Sequence, residues 1–120
     1  MTTPGSIGST TAPDDIAYLC RLPRTFREEA ASAYSLVHRS RTTPEKISIE
    51  AVRAVLDADP QLIGEWQRWS EDKRTSSGWF LDHQNGNHIV GHLPRGPRLT
   101  FPDAASACAE FIVRELKAIW

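Results

Sequence analysis

The chain has 120 residues, 40% of them hydrophobic and 24% charged, with 14 Lys and Arg against 15 Asp and Glu and a formal net charge of −1. That length suits one domain, and a chain of this size buries about two-thirds of its unfolded surface, so neither a metal nor a disulfide is needed for folding. The charge balance repeats in each half of the chain, which leaves no excess to draw the protein to nucleic acid or to a membrane surface.

No stretch approaches the roughly 20 apolar residues of a membrane span, and the first residues have neither the basic nor the apolar region of a secretory signal. A cytoplasmic location is therefore expected, with Cys20 and Cys108 reduced. Each cysteine stands among apolar residues and reads as a small core hydrophobe. Residues 1–12, rich in Gly, Ser, Thr and Pro, read as a disordered lead-in, and residues 13–120 as one domain.

Asp14 and Asp15 open a short helical segment over Ile16–Leu22, which Pro23 ends. Thr25 and Glu28 have the spacing of a capping box. Phe26, Ala30, Ala33, Tyr34 and Val37 then recur at helical period, predicting one helix through about His38. A third helix is expected over Ile47–Ala58, with Ile49, Val52, Val55 and Leu56 on its apolar side and Pro44 as a further candidate start. Asp59-Pro60 is a clearer start signal, an N-cap followed by a first-turn proline. It opens a fourth helix to about Asp72, with Leu62, Ile63, Trp66 and Trp69 as its stripe.

The period then changes from 3.6 to 2. Residues 78–84 and 87–93 alternate as strands around Asn85-Gly86, a pair suited to the type I′ turn because both positions take positive φ. Pro94–Pro97 makes the next turn and Arg98–Phe101 a third strand. Pro102-Asp103 opens a last helix with the stripe Ala104, Cys108, Phe111, Ile112, Leu116 and Ile119. The layout is an α+β domain: N-terminal helices, a three-stranded antiparallel meander, and a C-terminal helix packed on the sheet. Both faces of the hairpin hold apolar residues: Trp79, Leu81 and Val90 on one, Phe80, Ile89 and Leu93 on the other. Either helices cover both faces or one face meets a partner.

The turn places His83 opposite His88, Leu81 opposite Val90 and Trp79 opposite His92. His83 and His88 lie close enough to share a zinc ion, but His92 is about 13 Å further along and does not join them. Two ligands fall short of a structural or catalytic site, so no metal is expected. Asp82 points away from His83, and Glu28-Glu29 and Glu71-Asp72 read as solvated helix charges. Ser76-Ser77-Gly78 is too generic for a nucleophile loop, and no hydrolase, phosphate-loop, dinucleotide or zinc-protease motif is present. Neither an enzyme nor a cofactor is expected. Trp79 and Phe80, flanked by Lys73, Arg74, Arg95 and Arg98, give a small nucleic-acid-binding or regulatory module as the alternative reading.

Trp69-Ser-Glu-Asp-Lys-Arg-Thr-Ser-Ser-Gly-Trp-Phe80, Gly86-Asn-His-Ile-Val-Gly91 and Phe101-Pro-Asp-Ala-Ala-Ser-Ala-Cys-Ala-Glu-Phe-Ile-Val-Arg-Glu-Leu116 together carry a resemblance. Over roughly Asp59–Leu116 the chain resembles the small cytoplasmic immunity proteins of bacterial polymorphic-toxin and contact-dependent growth inhibition systems. The resemblance implies a non-catalytic protein that binds a cognate toxin domain, commonly a nuclease, and blocks its active site or substrate surface. Its partner is then a protein, met through acids and aromatics. Glu65, Glu71, Asp72, Asp82 and His83, around the fourth helix and the hairpin, are the candidate contact residues. With one net charge overall, complementarity falls to such a local patch.

Overall fold

A computed structural model describes residues 11–29, 31–40, 42–72 and 78–119, with side chains from Ile16 onward. In chain order it has helices α1 (Thr11–Cys20), α2 (Leu22–Glu28) and α3 (Ala33–His38), a 3₁₀ turn over Pro44–Lys46, then α4 (Ile49–Ala58) and α5 (Gln61–Asp72). Strands β1 (Gly78–Gln84), β2 (Asn87–Leu93) and β3 (Arg98–Phe101) follow, and α6 (Ala104–Ile119) closes the chain. Residues 1–10 of the expected lead-in lie outside the described residues; Thr11 and Ala12 belong to α1, so the helical chain begins before residue 13.

The hairpin forms as its turn chemistry requires. Asn85 and Gly86 take φ of 51° and 79°, and the register pairs His83 with His88, Leu81 with Val90 and Trp79 with His92. The sheet order is β1-β2-β3, antiparallel throughout. Asp103 caps α6, its carboxylate accepting the Ser106 N–H at 2.8 Å. Ser48 does the same for α4 at Ala51, 3.1 Å, so that helix starts at Ile49 rather than Ile47.

The single helix expected through His38 is two helices. Pro23 falls in the first turn of α2, where a missing N–H costs nothing, and so starts a helix as well as ending the one before it. The Thr25–Glu28 capping box does not form, because Thr25 lies inside α2, its hydroxyl directed back at the Arg21 carbonyl. The chain turns extended at Glu29, and Ser32 caps α3 by accepting the Ser35 N–H at 3.1 Å. Phe26 and Tyr34, expected on a buried stripe, are therefore 44% and 59% exposed.

The last helix departs from its expected single stripe in the other direction. Ala107, Cys108, Ala109, Phe111, Ile112, Val113, Glu115 and Leu116 are all buried, which covers most of the helix circumference and leaves only the side of Glu110, Arg114 and Lys117 towards solvent. α6 is the central element: the sheet packs on one side of it, α4 on another, and α1 behind α4. Small residues at 107–109 allow this close approach. The core joins Leu19, Leu36, Val52, Leu56, Leu62 and Trp66 to Leu81 and Val90, with Trp79 and Phe101 packed against it.

The helices that pack on the sheet, α5 and α6, meet the face of Leu81 and Val90. Helical cover of both faces, one of the two expectations, is not what the chain does. The opposite face covers itself instead. The Phe80 ring lies over Gly91, so close that a Cβ there would sit 2.5 Å from the ring, and Arg98 lies over Phe80 at 5.7 Å. Ile89, two residues from Gly91 on the same face and between Asp82 and Thr100, is 8% exposed without joining the main core.

Candidate partner-binding surface

An exposed strand edge offers unpaired N–H and C=O groups to any passing strand. β1 is such an edge, and α5 closes it with side chains. Leu81 N–H donates to Ser70 Oγ at 2.8 Å, and the Leu81 carbonyl accepts from Gln67 Nε2 at 2.8 Å and from Ser70 Oγ at 3.3 Å. Two residues on, the His83 N–H donates to the carboxylate of Asp82 at 2.7 Å, and Gln84 Nε2 donates to its other oxygen at 3.0 Å. Gln67 also donates to Glu71 Oε2 at 3.3 Å. The same bonds that close the edge thus set Glu71 and Asp82 along it. His83, exposed next to Asp82, stacks on His88 with ring centroids 4.6 Å apart.

Of the five candidate contact residues, Glu71 on α5 and Asp82 and His83 on β1 therefore border the same strand edge, a ridge on which Asp82 and His83 point to opposite faces of the sheet. Glu65 turns elsewhere. Its two oxygens accept from Arg24 Nε at 2.8 and 2.9 Å, while the Arg24 Nη atoms hold Asp59 at 2.9 and 3.3 Å. Arg27 stands 3.7 Å from Glu65 as well. One guanidinium so ties α2 to the start of α5. Hydrogen bonds from Arg24 hold the Asp59 carboxyl below its ordinary range, helped by the N–H of Gln61 as Asp59 caps α5.

Asp72 lies on the other side of α5, at the rim of a groove of about 460 Å³. Pro23, Phe26, Ala33, Trp69 and Ile119 give this groove an apolar lining, and Arg27, Arg68 and Asp72 edge it. Phe26 meets Trp69 edge to face at 5.2 Å, and Trp69 Nε1 donates to the buried carboxylate of Glu115 at 2.9 Å. No sequence signal marked the groove, because its lining comes from four separate helices.

Cys20 and Cys108 are buried, and burial pushes the Cys20 thiol up to about 12 and raises that of Cys108. Such thiols stay protonated and are poor nucleophiles. Among the described residues, no three His, Cys, Asp or Glu side chains converge as a metal site. The aromatics considered for base stacking have one face engaged within the chain: Arg98 lies over Phe80, and Arg114 lies over Trp79 at 4.7 Å. Lys73, Arg74, Ser76 and Ser77 lie outside the described residues. Among those residues, no helix is long and apolar enough to cross a membrane.

Comparison of the chain with protein-family models, curated proteins and solved structures finds no match.

Proposed function

We propose that the protein acts by binding rather than by catalysis, as an immunity protein that neutralises a cognate bacterial toxin domain by covering its active site or substrate surface. The observation that carries this reading is the ridge of Glu71, Asp82 and His83, fixed along the closed edge of β1. Carboxylates held by hydrogen bonds lose little freedom when a cationic surface meets them. A closed edge also turns the ridge into a side-chain surface, recognised by charge and shape instead of strand addition. The resemblance of the region around α5, the hairpin and α6 to immunity proteins supports the same reading. A nuclease toxin, whose substrate is an anion, presents the complementary charge.

The direct test is to co-express the chain with the toxin domain encoded beside its gene. Binding and inhibition are expected, and the double reversal Glu71→Lys/Asp82→Lys weakens the complex at least about tenfold, mostly in the association rate. A purified chain that neither binds nor inhibits that domain overturns the reading.

A further inference from the structure

The groove side of α5 carries a charge pattern that the ridge does not use. Glu65 is already held by Arg24. Arg68 and Asp72 stand one helical turn apart on the groove rim, and neither side chain has an ion pair or hydrogen bond among the described residues. They do not pair with each other, consistent with a base preceding an acid being the weaker order at this spacing. Between them and α6 lies the apolar lining, and Phe26, 44% exposed, stands at its lip.

A partner surface of one sign satisfies one of the two rim charges and repels the other. A second copy of this chain satisfies both. When two α5 helices run antiparallel across a two-fold axis, Arg68 of each copy faces Asp72 of the other, since an isologous interface makes every unlike contact twice. Phe26 then supplies the convex part of the contact and the space between Trp69 and Ile119 the concave part. We propose that the groove is the contact of a symmetric dimer of this chain, its register set by reciprocal Arg68–Asp72 pairs. Glu71 does not line the groove and Asp82 stands on β1, so the ridge flanks the dimer contact rather than filling it.

Sedimentation equilibrium over a range of concentrations tests this on the full chain. A reversible dimer is expected. Arg68→Glu and Asp72→Arg each raise its Kd at least about tenfold, and the double variant, which exchanges the signs, restores it to within a few-fold. Both positions are exposed, and circular dichroism checks that the variants fold. A chain that stays monomeric throughout overturns the proposal, and if Phe26→Ser then weakens toxin binding the groove belongs to the toxin. A dimer indifferent to both single reversals also overturns it. Loss of toxin binding on reversal of Glu71 and Asp82 is read separately, so failure of the dimer and failure of the immunity reading are distinguishable.

Discussion

Ser70 and Leu81 meet across the open edge of the sheet, the hydroxyl of one accepting the N–H of the other at 2.8 Å and donating to its carbonyl at 3.3 Å. Ser70 is 1% exposed, so its hydroxyl rather than solvent serves that N–H. Ser70→Ala leaves a buried N–H without its acceptor. A loss of about 1–3 kcal/mol is expected, read as a lower urea midpoint with an unchanged slope. The amide proton of Leu81 also loses protection in hydrogen exchange more than that of Val90. Equal exchange at both positions would show that the edge is closed by something other than Ser70.

Two glycines separate conformation from space. Gly64 lies in the middle of α5 with nothing within 4 Å of an added Cβ. Gly64→Ala removes freedom from the unfolded chain and is expected to stabilise by about 0.5–1 kcal/mol. Gly86 has equal room, but its φ is 79°. Gly86→Ala forces a side chain into the left-handed region and destabilises by about 1 kcal/mol. Thermal unfolding of the pair should move in opposite directions; a common sign removes the conformational argument.

The contrast between those positions also explains what was legible in the sequence. Asn85-Gly86 answers to a local rule, so strand bounds and register followed from two residues. Asp59-Pro60 did the same for α5. Pro23 obeys two local rules at once, stop and start, and the choice was made by Ser32, a second cap nine residues later. The central place of α6 needed the knowledge that α4 packs against it, which no period within α6 supplies. The same holds for the candidate site. Glu71, Asp82 and His83 are candidates on charge near the hairpin alone, whereas the pairing of Glu65 with Arg24, 41 residues away, and the groove from four helices are tertiary facts.

Thiol chemistry gives a sharp readout of packing. Cys20 and Cys108 are both fully buried, and desolvation raises both thiols. In the native protein an aromatic disulfide reagent at neutral pH should react with neither. In denaturing urea both should react within minutes, giving two equivalents per chain. Fast reaction of one equivalent in the native state would place that cysteine near solvent and contradict the packing of α1 on its neighbours.

Arg24 links stability to pH through its partners. Its hydrogen bonds lower the folded-state pKa of Asp59, so the folded chain holds that carboxyl ionised where the unfolded chain has begun to protonate. The stabilisation is complete above the unfolded value, about 3.9, and fades as pH falls through the lower folded value. Arg24→Met removes the cause of the shift while keeping much of the aliphatic stem. The variant is expected to be less stable at pH 7, because the Glu65 carboxylate stays largely buried without its principal partner. The gap between variant and parent should then shrink as pH falls below about 4 towards 2, since acid protonates in the parent the Asp59 carboxyl that Arg24 holds. Urea titrations at four or five pH values measure this. A gap that stays constant down to pH 2 would mean that Arg24 acts through packing of its stem on α5 and not through its charge.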